Sequence, residues 1–142
     1  MYLIKKYNMA EVSTKVTLTN KNYLAEAKMR NHFCVLDRPI TEGGGDTGPT
    51  PVEYLLTAIA GCVSMTLKKY LEIKDWDLGN IIVEVFQKET LTKEGVIKFL
   101  IEEISFEKEV SEKQKEELLK VASRCPVVKM LKGETKVVSN IM

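Results

Sequence analysis

The sequence predicts an α+β fold, with strands, a long helix, a strand pair, a shorter helix and a last strand following one another along 142 residues. Two observations carry this. Period-two alternation of apolar residues marks the opening segment and the stretch from Ile81 to Glu107, the signature of half-buried strands. Between them lies a capped, almost entirely apolar helix, and runs of strands separated by runs of helix belong to the α+β class. The length is that of one domain, 1–142, with residues 1–9 as a flexible N-terminal extension. Such a chain can bury roughly two-thirds of its unfolded surface.

The elements follow in order. Val12–Leu18 reads as a strand with Val12, Thr14, Val16 and Leu18 on one face. Asn20-Lys21-Asn22 turns into a second strand, Tyr23–Met29, and Phe33–Leu36 suggests a third. Asp37–Pro49, with Gly43-Gly44-Gly45, is a loop. Thr50 is then an N-cap, Pro51 suits the first helical position, and Glu53 completes a capping box. Leu55, Leu56, Ile59, Ala60, Val63, Leu67 and Leu71 form a wide apolar face with little polarity opposite, which predicts a buried helix. Lys68 and Lys69 suit its C-terminal dipole end.

Ile81–Thr90 and Val96–Glu107 predict a hairpin turning at Thr92-Lys93-Glu94-Gly95. In its second strand the apolar phase runs Ile97, Phe99, Ile101 and then slips to Ile104 and Phe106, which predicts a β-bulge near Glu102-Glu103. Ser111 with Gln114 forms a second capping box, opening an amphipathic helix through Leu118, Leu119 and Ala122 toward Cys125. Pro126 kinks or restarts that helix, Gly133 stops it, and Thr135–Ser139 is expected as the last strand.

Composition excludes some functions. Apolar residues at 44% and charged residues at 29% describe an ordinary globular chain, and the net charge of +1 gives no electrostatic case for nucleic acid or an anionic membrane. The start, MYLIKKYNMAEV, lacks the apolar core of a secretory signal, and the apolar stretch Val52–Leu67 is too short to span a bilayer. A cytoplasmic location is therefore the default. Three cysteines in such a chain argue against a disulfide framework, leaving thiol chemistry or plain burial.

Taken singly, each thiol reads first as a small buried hydrophobe. Cys34, within His32-Phe33-Cys34-Val35, fits a strand core. Cys125 continues the stripe from Leu118. Cys62 lies about three turns into its helix, beyond useful dipole range, so reactivity would require a cation from elsewhere. Arg30, Arg38 and Arg124 are the only arginines. A zinc site from His32, Cys34, Cys62 and Cys125 lacks any closely spaced ligand pair, and no metal or cofactor is expected. Glu53 is explained by its cap. Nine residues at about 100° each turn it by about 900°, onto the face opposite Cys62.

The run D-R-P-I-T-E-G-G-G-D-T-G-P-T-P-V-E-Y-L-L-T-A-I-A-G-C from Asp37 to Cys62, followed by C-P-V at Cys125–Val127, resembles the OsmC/Ohr family of thiol-dependent peroxidases. The likeness extends over most of the chain. It implies an OsmC-like fold: curved antiparallel sheets around two long central helices packed back to back in an intertwined homodimer. It also implies reduction of hydroperoxides, with a dihydrolipoyl group or another dithiol as reductant. Carried over by resemblance, Cys62 is the peroxidatic nucleophile, Cys125 the resolving thiol and Arg30 the thiolate partner. The chemistry is coherent, because a thiolate attacking a peroxide gives a sulfenic acid that a second thiol condenses to a disulfide.

One position departs from the pattern. The best-characterised branches place a glutamate directly after the proline at the helix start; here Val52 stands there and Glu53 comes one residue later. One step turns a helical side chain by about 100°, so the acid's role does not transfer, and Glu53 stays first a cap and only second a site residue. Two functions follow. One is a peroxidase acting on organic hydroperoxides or hydrogen peroxide through Cys62 and Cys125. The other is a non-catalytic OsmC-like protein that binds a small apolar ligand, its cysteines structural or redox-sensing.

Overall fold

The computed structural model describes residues 12–133 and 135–141. The expected extension at 1–9 lies outside the described residues. The chain forms two compact units, divided between Glu53 and Tyr54.

In the first unit, strands β1 (Lys15–Leu18), β2 (Ala25–Met29) and β3 (His32–Leu36) make an antiparallel sheet in that order. Val16 pairs with Ala27, which pairs with Cys34, so these three side chains share one face with Leu18, Ala25 and Leu36. The first strand is shorter than the alternation predicts. Lys15 already faces Lys28 near the end of β2, so Val12 and the residues after it run past their neighbour.

Asp37 organises the loop that follows. It is buried, and its carboxylate accepts from the Arg38 and Thr47 backbone N–H groups at 2.8 and 3.1 Å and from the Thr47 hydroxyl at 2.6 Å. These bonds hold its pKa at about 2, below the ordinary 3.8. A Cβ on Gly44 would sit 2.0 Å from the Arg38 carbonyl oxygen, so this turn of the loop requires glycine. The predicted capping box is present: Thr50 N–H donates to the Glu53 carboxylate at 2.7 Å, and Glu53 N–H to the Thr50 hydroxyl at 3.3 Å.

Helix α1 (Pro51–Lys74) carries the core of the second unit. Ile59, Val63, Leu67 and Leu71, spaced four apart, pack with Leu78, Leu118, Val121, Ala122, Cys125 and Val128. The helix ends in a Schellman arrangement, with Asp75 in the left-handed region at φ 54°. Trp76 N–H reaches Leu71 O at 2.9 Å, and Asp75 N–H reaches Glu72 O at 3.3 Å. Val52, Leu55, Met65 and Ile73 of α1 stay exposed among the described residues, whereas the apolar periphery predicts burial all round.

Strands β4 (Ile81–Thr92) and β5 (Gly95–Phe106) form the hairpin around the two-residue turn Lys93-Glu94. Thr92 Oγ1 donates to Gly95 O at 2.8 Å and accepts from Glu94 N–H at 3.3 Å. The expected β-bulge is absent. Pairing runs unbroken from Ile81 opposite Phe106 to Thr92 opposite Gly95. The phase slip is a change of which face is apolar. Ile81, Val83, Val85, Ile104 and Phe106 pack on the core, while farther out Phe86, Ile97, Phe99 and Ile101 occupy the other face.

Helix α2 (Glu112–Ala122) opens with the Ser111–Gln114 capping box, and α3 (Pro126–Lys132) restarts at the proline. Gly133 closes α3, its N–H on Lys129 O at 2.8 Å. Residues 135–141 form no strand, contrary to expectation. β-Branched residues favour extended backbone, but a strand exists only against a partner edge, and Val137 is 89% exposed.

Candidate functional site

Cys62 occupies the middle of α1, one residue from buried Val63 and at the border between the core stripe and the uncovered face. It is half-buried. The neighbouring polar side chains are satisfied by the helix itself, with Ser64 Oγ donating to Gly61 O and Thr66 Oγ1 to Cys62 O, both at 2.8 Å. The hydroxyls thus leave the thiol unencumbered.

Cys125 is not a residue of α2. That helix ends at Ala122, and Cys125 is the N-cap of α3, wholly buried. Pro126 at the first position of α3 lacks an N–H that would go unpaired there in any case. The Cys125 backbone is held on both sides, its N–H on Ala122 O at 3.1 Å and its carbonyl accepting from Lys129 N–H at 3.0 Å. This junction turns the side chain into the core.

The fold brings these two thiols, 63 residues apart in sequence, within hydrogen-bonding reach. Burial pushes the Cys125 thiol above its ordinary value of 9.0, and the hydrogen bond with Cys62 adds to this; the Val128 and Val127 N–H groups act in the opposite direction. Cys125 is therefore a neutral thiol at physiological pH. One half-buried cysteine beside one buried, protonated thiol is an arrangement suited to attack by the first and resolution by the second.

Each of the other sequence candidates has its own local setting. Arg30, at the β2–β3 turn with φ 54°, is exposed and belongs to the first unit, whereas both thiols belong to the second. Arg38 stacks over Tyr23, 4.2 Å from the ring centroid. Arg124 is exposed while Cys125 beside it is buried. Glu53 spends its carboxylate on the cap, and the Thr50 backbone and then its side chain lower its pKa. Cys34 is half-buried on the sheet face it shares with Ala27. Among the described residues no three His, Cys, Asp or Glu side chains are grouped to hold a metal ion.

Sequence reasoning missed one residue. A cavity of about 520 Å³ is lined by Ile59, Leu100, Glu102, Val128 and Leu131 among others. Ile59 and Val128 each stand three residues from a cysteine, one turn along their helices. Because the hairpin has no bulge, Glu102 shares the core-facing side of β5 with Leu100 and Ile104. Counting parity straight through from Ile104 would have found it.

A family model described as OsmC-like protein matches residues 43–140, which include both cysteines. A structure of an osmotic stress induced and detoxification response protein from Psychrobacter arcticus superposes with a TM-score of 0.71 at 21% identity, covering 87% of this chain and 90% of that one. An OsmC-like protein from Mycoplasma pneumoniae gives 0.68 at 21%, covering 88% and 89%. An organic hydroperoxide resistance protein OsmC from Legionella pneumophila gives 0.65 at 15%, covering 89% and 93%. No curated protein matches the sequence significantly. The matched span and the shared fold together place this chain in the OsmC-like protein family.

Proposed function

We propose that this protein reduces hydroperoxides with Cys62 as nucleophile and Cys125 as resolving thiol. The single observation that carries the reading is the meeting of the two sulfurs inside one apolar core, one half-buried and the other sealed and protonated. The Legionella structure, an organic hydroperoxide resistance protein, supports the substrate class. In the first step the Cys62 thiolate takes the terminal peroxide oxygen, the O–O bond breaks, and an alcohol leaves. Cys125 then attacks the sulfenic sulfur, water leaves and a disulfide forms. An external dithiol, a dihydrolipoyl group or similar, reduces the disulfide by exchange.

The working form in this reading is a homodimer. The exposed stripe on α1 through Val52, Leu55, Met65 and Ile73, and the hairpin end that is apolar on both faces at Leu91, Val96, Ile97 and Phe99, are surfaces a second copy would cover. The second long helix of the pair implied by the family would then be the partner's α1. Arg30 remains the proposed cation for the thiolate. No helix among the described residues is long and apolar enough to cross a membrane.

The test is peroxide consumption with a dithiol reductant, using cumene hydroperoxide and hydrogen peroxide. Cys62→Ser should abolish turnover. Cys125→Ser should form one sulfenic acid per chain and stall. Equal rates in all three proteins would show that the thiols are not the catalysts. A second reading, binding of a small apolar ligand, is favoured by one observation, an open cavity of about 620 Å³ walled by Ile104, Phe106, Val110, Leu118 and Leu119.

A further inference from the structure

We infer that the exposed basic surface running from the end of α2 through α3 docks an acidic protein that carries the dithiol reductant. The inference rests on the thiol-peroxidase reading above, which leaves a Cys62–Cys125 disulfide for an external dithiol to reduce. From Leu118 to Gly133 the chain holds four cations, Lys120, Arg124, Lys129 and Lys132, and no acidic residue. All four are exposed. None is in an ion pair among the described residues, whereas Lys68, Lys74, Lys98, Lys108 and Lys115 each are. Helix dipoles favour Lys120 in the last turn of α2 and Lys129 and Lys132 in the last turn of α3. The same dipoles favour an acid in the first turn, where α1 has Glu53 and α2 has Glu112, but α3 has none. Arg124 belongs to neither helix. The dipoles thus account for the lysines and not for the missing acids.

Position ties this surface to the thiols. Cys125 stands between Arg124 and α3 as the N-cap of that helix, and its carbonyl accepts from Lys129 N–H at 3.0 Å. Leu119, Met130 and Leu131 are exposed among the cations. Cations interleaved with exposed apolar side chains suit an acidic protein surface. No aromatic residue from Leu118 to Gly133 offers a platform for stacking bases, which argues against a nucleic acid. A free dithiol needs no such surface; one borne on a protein is held beside the disulfide by it.

The reduction balances as two thiol–disulfide exchanges. A thiolate of the carrier attacks the sulfur of half-buried Cys62, the S–S bond breaks, and the Cys125 sulfur leaves and takes up a proton. The carrier's second thiolate attacks the carrier sulfur now bonded to Cys62, releasing Cys62 and closing the carrier's own disulfide. Two electrons and two protons pass from the carrier dithiol to Cys62 and Cys125.

The experiment uses cumene hydroperoxide as oxidant and three reductants. These are dithiothreitol and two synthetic peptides carrying a Cys-Gly-Gly-Cys dithiol, one flanked by glutamates and the other by glutamines. Each peptide's kcat/KM is divided by that for dithiothreitol. A fluorescent copy of the acidic peptide, with serines for its cysteines, reports binding by anisotropy without turnover. At low salt wild type should favour the acidic peptide by about tenfold, the lower end of electrostatic steering. The preference should vanish at about 1 M salt, where the Debye length is about 3 Å. Lys129→Gln combined with Lys132→Gln should lose most of the preference and of the anisotropy change. Lys132→Gln alone should lose part of both, which keeps the idea testable should the double variant fail to fold. Lys21→Gln combined with Lys93→Gln removes the same charge from exposed turns elsewhere and should behave as wild type. The proposal is overturned if wild type uses the two peptides equally, or if the Lys21 and Lys93 variant loses the preference as far as the α3 variant does. Tighter binding of a single-stranded oligonucleotide than of the acidic peptide would also overturn it. A wild type that consumes no peroxide with any reductant would sink the parent reading and the carrier's dithiol with it, while the anisotropy still decides the docking surface.

Discussion

Buried Cys125 and half-buried Cys62 are in near contact, and burial first, with the Cys62 thiol adding to it, raises the pKa of the buried member. Two consequences can be measured. In native protein at neutral pH, iodoacetamide should label Cys62 and leave Cys125 untouched until unfolding; equal labelling rates would contradict the burial. The second concerns stability. A folded pKa above the unfolded value means that the thiol's contribution is complete below 9.0 and is lost as pH rises through the higher folded value. Alkaline denaturation of Cys125→Ser should therefore lack one proton-linked component present in wild type.

Asp37 works at the opposite end of the pH scale. Its pKa falls from 3.8 unfolded to about 2 folded, mainly because the Thr47 hydroxyl and the Arg38 N–H bind the charged form. Its contribution is complete above 3.8 and disappears between 3.8 and about 2. Asp37→Asn should flatten acid unfolding in that window and speed amide exchange at Thr47 and Arg38. Unchanged exchange at both amides would show that the carboxylate does not hold the loop.

Two residues of one helix should separate folding from association. Leu67 is 0% exposed and Met65 is 74% exposed. Leu67→Ala should cost about 2–5 kcal/mol of stability, the range for emptying a packed core site. Met65→Glu should leave the fold intact and shift the mass measured by light scattering from that of the proposed dimer to that of a monomer. A Met65→Glu protein that remains dimeric would rule out the α1 stripe as the contact.

The cap of α1 should be separable from catalysis. Thr50→Ala removes the hydroxyl that accepts Glu53 N–H and should cost about 1 kcal/mol in chemical denaturation. Glu53→Gln keeps an acceptor at the same place and should leave peroxide turnover unchanged. A large loss of turnover in Glu53→Gln would return that acid to the active site.

Local signals were legible wherever a few adjacent residues carry the whole physical reason. Both capping boxes, the Lys93-Glu94 turn, the restart at Pro126 and the stop at Gly133 depend on hydrogen bonds or missing donors within four residues, and all are present. The bulge and the last strand were misread because each depends on something distant. A change of apolar face looks the same in sequence as a one-residue slip, and only the partner strand's register separates them. Val137 and Val138 favour extended backbone, but no ladder forms over 135–141.

The amino-acid sequence by itself determined the α+β class, the order of elements from β1 to α3, and two cysteine motifs characteristic enough to suggest a family. Their information is short-range: side-chain periodicity, caps and prolines act through neighbouring backbone. Tertiary structure decided that Cys62 and Cys125 meet, that one is sealed and the other is not, and that Glu102 turns inward. Those outcomes depend on packing α1 against α2, α3 and the hairpin, and burial and proximity in that core arise between segments tens of residues apart.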